Sequence, residues 1–182
     1  KNEGGMVAVL GVEINKIYEI FESNINNFKC FLANDNCNGQ AVISGKMDHL
    51  NKFVGELKKL NIKNIKLPVS APFHCNLMEP ATRVMKLEIM NTLFSQTKNM
   101  IVSNVTAKPS KDPNVIKNLL IDQIEKPVRW RESILNIINS GNKKFIEIGP
   151  GKVLSGLVKR IDRNVETIQV NNIEDLKNLK NI

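Results

Sequence analysis

No stretch of the sequence approaches the ~18 to 20 consecutive apolar residues that a membrane-spanning helix needs. Lys1-Asn2-Glu3-Gly4-Gly5 carries no apolar signal-peptide core, so nothing there marks the chain for export. It also lacks an initiator methionine, and the natural chain is expected to begin further upstream. Aromatic residues make up only 5 %. With no arginine cluster and no aromatic-rich strand, the features of a nucleic-acid-binding surface are missing. Cysteine is scarce: Cys30, Cys37 and Cys75 are odd in number and unevenly spaced. Neither a disulfide framework nor a zinc site is expected, and a reducing compartment fits better. There is no internal repeat and no low-complexity linker.

What is present is enough for a real core. The chain has 182 residues, 42 % of them hydrophobic, which suits one ordinary domain or two small lobes sharing a surface. Its net charge of +8 could attract nucleic acid, anionic lipid or an acidic protein, and charge alone does not choose among them. Asn, Lys and Ile are abundant, as in products of AT-rich genomes, and this inflates the basic count.

The apolar run Met6 to Leu10, closed by Gly11, predicts a buried strand. Ile14, Ile17, Tyr18 and Phe21 sit at helical spacing within residues 13–26. Residues 29–33 and 40–44 read as short strands joined by the polar loop Asn34 to Gly39. Residues 47–60 form a second helix, with Leu50, Phe53, Val54 and Leu57 on one face, and 62–69 a fourth strand. This order, β-α-β-β-α-β, is the split βαβ pattern of ferredoxin-like folds. Beyond Pro72 the pattern predicts helices at 77–93, at 112–126 and at 128–139, with a strand at 100–105. Asp112-Pro113 opens the second of these as a cap followed by proline, and Pro127 ends it. A strand at 145–148, a helix at 153–161, a strand at 167–170 and a helix at 173–179 complete the chain. Alternating strands and helices imply a parallel α/β sheet.

His74 follows a strand and precedes a helix, and the ends of strands in α/β sheets are where catalytic groups collect. Pro68 and Pro72 stiffen its approach. An imidazole suits general-base work, although by itself a structural or merely exposed histidine is the better reading. Cys75 beside it reads as an ordinary small hydrophobe. Gly149-Pro150-Gly151-Lys152 joins a strand to a helix and could cradle a phosphate there. Its spacing fits neither a P-loop nor a dinucleotide fingerprint, so alone it reads as a tight turn.

Taken together, Gly5-Met6 with its strand, Asn36-Cys37-Asn38-Gly39-Gln40 through Gly45, and Leu67 to His74 resemble the malonyl-CoA:acyl carrier protein transacylases. So do Ser103-Asn104-Val105-Thr106, Gln123 to Trp130, and Phe145 to Leu154, in the family's order and spacing over nearly the whole chain. The resemblance implies a ferredoxin-like βαββαβ lobe, residues 5–70, inserted into a hydrolase-like parallel α/β lobe. Residues 71–182 would be the C-terminal part of that lobe. It implies transfer of malonyl from coenzyme A to the phosphopantetheine thiol of acyl carrier protein, in type II fatty-acid synthesis, through a serine in a Gly-x-Ser-x-Gly elbow.

His74 matches the family's catalytic base, and Gln123 a residue whose main-chain carbonyl orients it. Phe73, Asn36 and Gln40 match substrate-binding positions. Phe73 is either the bulky residue of malonyl-selective enzymes or plain core. Lys63, Lys159 and Arg160 match a carrier-docking patch. No metal and no cofactor beyond the substrates is implied. Expected partners are acyl carrier protein, malonyl-CoA and an N-terminal part of the same enzyme, with neither nucleic acid nor membrane among them. The place of action would be a plastid stroma of apicoplast type if the source is eukaryotic, and otherwise the cytoplasm. The chain departs from the family in one large respect. It contains no Gly-x-Ser-x-Gly, and the family's oxyanion-hole segment and the arginine that holds the malonyl carboxylate are missing with it. Ser44 lacks the elbow, and Arg129 and Arg131 do not match that arginine. The chain alone is therefore expected to be inactive. The alternative is a non-catalytic module that binds acyl carrier protein or another subunit.

Overall fold

A computed structural model describes residues 3–179; Lys1, Asn2 and residues 180–182, and with them the Lys1-Asn2 start, lie outside the described residues. The chain divides into two compact units, residues 1–133 and 134–182.

In the first unit, β1 (Gly4–Leu10), β2 (Cys30–Cys37), β3 (Gln40–Lys46) and β4 (Lys63–Lys66) form one sheet in the order β2-β3-β1-β4. All three pairings are antiparallel. Helices α1 (Ile14–Ser23) and α2 (Met47–Lys59) follow β1 and β3, giving the expected βαββαβ succession. Val7, Val9, Ala41 and Ile43 bury one face of the sheet with Ile17, Ile20, Leu50, Phe53 and Leu57. Met6, Ala8, Ala33 and Val42 bury the other face, packed by Leu67 and Val69. Burial on both faces explains why β1 is a continuous apolar run rather than an alternating one.

The polar stretch expected as a loop after Ala33 is instead strand as far as Cys37, and only Asn38-Gly39 turns. Its polar residues are accommodated by two register shifts, between Leu32 and Asn34 and between Asp35 and Cys37. Such bulges turn main-chain groups outward for another partner. Here the partner is Val128: its N–H donates to the Ala33 carbonyl at 2.8 Å, and its carbonyl accepts from Asp35 N–H at 2.9 Å. Val128 is therefore extended, and the helix expected from it starts later, as α5 (Trp130–Asn139). Strand β4 is shorter than expected. One more bond runs from Leu67 N–H to Met6 O, and then Pro68 has no N–H to offer.

The helix expected at 77–93 is a single 3-10 turn, Asn76–Met78, followed by α3 (Glu79–Asn91). Strand β5 (Ile101–Val102) is only two residues long and pairs with β6 (Pro109–Ser110), which the sequence did not announce. Helix α4 (Pro113–Asp122) opens as expected: the Asp112 carboxylate accepts from Asn114 and Val115 N–H at 2.8 and 3.3 Å.

In the second unit, β7 (Lys144–Ile148) and β8 (Glu166–Val170) are parallel and joined through α6 (Val153–Ile161), with α7 (Ile173–Leu179) after them. The parallel sheet has these two strands among the described residues. Gly149 and Gly151 lie at φ of +137° and +98°, where glycine alone is unstrained. The Glu147 carboxylate accepts from Leu154 N–H at 3.1 Å and Ser155 N–H at 2.8 Å. These helix N-terminal amides are thus occupied by the chain's own carboxylate, which makes the segment a capped turn and not a phosphate cradle.

Hydrogen bonds from the Ser155 side chain and from the Ser155 and Leu154 amides hold the Glu147 carboxyl below its usual value of 4.5. A depressed folded-state pKa stabilises above the unfolded value and loses that stabilisation as pH falls through the folded one. Solvent screens this exposed carboxylate, so Glu147→Gln is expected to cost no more than about 0.5 kcal/mol at neutral pH. The gap between variant and parent should shrink below pH 4.5. Denaturant titrations at neutral and acidic pH check it; a gap that does not narrow in acid contradicts it.

Candidate active site

The loop carrying His74 is held at two points, on the neighbouring strands β1 and β3. Pro72 lies against the backbone of Gly4, where a Cβ would come within 2.6 Å of the proline ring. Only glycine fits there. The Ser44 hydroxyl, fully buried on β3, donates to the Phe73 carbonyl at 2.6 Å. Between these clamps His74 adopts φ +60°, a left-handed conformation disfavoured for a residue with a Cβ. Such backbone strain persists only where surrounding contacts enforce it.

The half-buried imidazole meets one main-chain acceptor: Nδ1 lies 3.0 Å from the carbonyl oxygen of Gln123. Gln123 caps the C-terminal end of α4, where carbonyls lack a helical partner. The residue four positions on, which would have supplied that partner's N–H, is Pro127. The sequence thus leaves this carbonyl open for the histidine. The Gln123 side-chain amide also approaches Nδ1, at 3.4 Å. The two contacts require opposite tautomers, because the carbonyl needs Nδ1–H and the amide needs an Nδ1 lone pair. The shorter contact selects Nδ1–H, which leaves the Nε2 lone pair available to take a proton.

Cys75 is not a rival nucleophile. It is buried and its thiol donates to the Pro72 carbonyl at 3.1 Å. Burial pushes its pKa up, and a protonated thiol is a poor nucleophile. Cys30, also desolvated by burial and facing the Asp48 carboxylate, is pushed up to about 12.

Beside Gln123 lies a cleft of about 140 Å³ lined by Ile101, Val102, Ile116, Leu119 and Leu120. Phe73 is 41 % exposed, so it is not core in the described residues. Asn36 is the extra residue of the second bulge, and Gln40 follows the Asn38-Gly39 turn. Four residues of extended strand, about 13 Å, separate Gln40 from Ser44. This pair therefore sits at the other end of the hairpin from the histidine loop. Lys63 is exposed on the edge strand β4. In the second unit, Arg160 is exposed, whereas Lys159 turns its ammonium onto the Val165 and Arg163 carbonyls. The sequence alone gives Ser44 and Gly4 no part in holding this loop, and marks Pro127 only as the end of a helix. Only Pro127, four residues past a helix-end glutamine, carried a local signal.

A mixed α/β chain presenting a histidine with Nδ1–H fixed on a carbonyl and Nε2 open has what a base in acyl transfer requires. Residues 2–177 match the family model described as the acyl transferase domain, and the chain belongs to that family. Within it the chain is similar to malonyl CoA-acyl carrier protein transacylases. It is 39 % identical to that of Staphylococcus aureus (strain COL) over 176 residues, covering 96 % of this chain and 57 % of the relative. It is 40 % identical to that of Bacillus subtilis over 179 residues, covering 96 % and 56 %. The crystal structure of the transacylase from Clostridium perfringens superposes with a TM-score of 0.92 at 38 % identity, over 100 % of this chain and 57 % of that one. A malonyl-transacylase solved in complex with a type II polyketide acyl-carrier protein gives 0.92 at 29 % identity, over 100 % and 60 %. The chain thus spans a little over half the length of the relatives it matches.

Proposed function

We propose that this chain supplies the base and its orienter for malonyl transfer from coenzyme A to the phosphopantetheine thiol of acyl carrier protein, in fatty-acid synthesis. The observation that carries this reading is the 3.0 Å contact between His74 Nδ1 and the Gln123 carbonyl, which favours Nδ1–H and a proton-accepting Nε2. In the first half-reaction Nε2 accepts the proton of a serine hydroxyl as the serine oxygen bonds to the malonyl carbonyl carbon. The carbon–sulfur bond then breaks, and the proton passes to the departing coenzyme A sulfur. In the second, Nε2 takes the proton of the carrier's thiol, whose sulfur displaces the serine oxygen, and returns that proton to the serine. The serine would come from an N-terminal part of the same enzyme, since these 182 residues hold no Gly-x-Ser-x-Gly. Outward-facing Ile146 and Ile148, 44 % and 76 % exposed on β7, support a further polypeptide beside the second unit. The same reading takes residues 5–70 as a ferredoxin-like subdomain and 71–182 as part of the hydrolase-like one. It places the enzyme in a plastid stroma or a bacterial cytoplasm. Assay of the chain joined to the serine-bearing part, with malonyl-CoA and carrier protein, tests the proposal; absence of transfer by a folded product would contradict it.

Phe73 is proposed to exclude an α-methyl group beside the base, with Asn36 and Gln40 as further substrate contacts at the hairpin end. Its exposure, and its position directly before His74, support this role. Phe73→Ser in the joined enzyme is expected to lower the malonyl preference over methylmalonyl by about 1 to 3 kcal/mol. An unchanged ratio of kcat/KM values, with activity retained, would remove Phe73 from that role.

Carrier docking is proposed at Lys63, Lys159 and Arg160. Lys63→Glu together with Arg160→Glu tests this assignment. Exposed charges act mainly on the association rate, so the change should raise KM for carrier protein in a salt-sensitive way. The malonyl-CoA half-reaction should stay intact. Equal loss in both half-reactions would contradict the docking assignment.

A further inference from the structure

Arg131 has no role in the account so far, yet it reaches 96 residues back along the chain to Asp35. Its Nε lies 3.0 Å from each carboxylate oxygen and its Nη2 2.8 Å from one of them. The side chains of Arg131 and Asp35 are 29 % and 14 % exposed, against 44 % and 43 % for the neighbouring Arg129–Glu132 pair. A sheltered, forked pair of this kind fixes geometry where an open surface pair does not.

What the pair fixes is the segment that follows the orienting carbonyl. Two main-chain bonds already join Val128 to β2 at Ala33 and Asp35, and the ion pair lies just beyond them. Upstream of Val128, a short turn returns Glu125 and Lys126 N–H to the Asp122 carbonyl, with Gln123 inside it. Gln123 is thus held by α4 on one side and by this attached segment on the other. The histidine loop is clamped to the adjacent strand, through Ser44. Strands β2 and β3 are neighbours in the sheet, with Phe31 opposite Ser44 and Asp35 opposite Ala41. One hairpin therefore carries both attachments, that of the base and that of its orienter.

We propose that Asp35 and Arg131 are a positioning pair for the base: their ion pair docks the segment after Gln123 on β2 and so keeps the Gln123 carbonyl within reach of His74 Nδ1. The inference rests on the reading of His74 as base, but its test does not require turnover. The chain has two histidines. His49 serves as an internal control, because its Nδ1 accepts from Lys29 N–H at 3.0 Å and so its proton must sit on Nε2.

Nitrogen-15 NMR of the 182-residue chain, at a pH where both rings are neutral, reads the two tautomers separately. The parent is expected to show Nδ1–H at His74 and Nε2–H at His49. In Arg131→Ala and in Asp35→Asn the Nδ1–H to Nε2–H ratio at His74 should fall about five- to tenfold, the worth of one ordinary hydrogen bond. His49 should not change. An unmoved His74 in both variants overturns the positioning role while leaving the base reading intact. A parent already in the Nε2–H form overturns both. If Arg131→Ala also disturbs His49, the lobe itself has opened, and Asp35→Asn decides: an unmoved His74 there overturns the proposal.

Discussion

Replacing His74 with alanine, in this chain joined to a serine-bearing part, is expected to slow malonyl transfer by roughly 10⁴- to 10⁶-fold. The imidazole would be the group that moves the proton in both half-reactions, so each suffers. The cost to the fold should be small. Alanine at φ +60° is disfavoured much as histidine is, and the loop keeps its attachments at Ser44 and at the Gly4–Pro72 contact. A freed Gln123 carbonyl at a half-buried site can take water instead. Thermal unfolding should therefore move little while the rate collapses. A folded variant within tenfold of the parent would return His74 to a structural role.

Residues 1–182 by themselves are expected to give no malonyl transfer above the His74→Ala control. Removing a nucleophile alone costs several orders of magnitude, and on the proposed reading the oxyanion donors that would leave residual catalysis lie with the serine-bearing part. The serine that touches the histidine loop cannot substitute. Ser44 is fully buried, and its hydroxyl proton is committed to the Phe73 carbonyl. The Cys75 thiol, whose pKa burial raises, is turned onto the Pro72 carbonyl. Measurable turnover by the pure chain would contradict the account of the nucleophile.

The continuous apolar run of β1 and the two amphipathic helices made the first sheet legible. Helix α6 and helix α7 lie where their apolar spacing and flanking turns put them. What misled was local polarity. Asn34 to Cys37 looks like a loop, and it is strand only because Val128, over 90 residues away, supplies main-chain partners. Val128 looks like the start of a helix for the complementary reason. His74 and Gln123 were named through resemblance to a family, and the structure brings them within 3.0 Å of each other. The contacts that hold them there were not legible. Pro127 leaves a carbonyl unpaired, Ser44 fixes a peptide from the neighbouring strand, and Arg131 closes on Asp35. The last two depend on contacts across the fold, which no period or spacing in one segment encodes. The second unit's glycine turn shows the same limit: its spacing could not exclude an anion, whereas the Glu147 carboxylate in place at α6 does.

The central claim, that this chain brings the base to a serine carried elsewhere, is tested most directly by mixing. Residues 1–182 would be combined with a separately produced serine-bearing part of a related transacylase, and malonyl transfer to acyl carrier protein followed. The account predicts transfer only when both polypeptides are present, and its loss when the first carries His74→Ala. Transfer that persists undiminished with the alanine variant would contradict it.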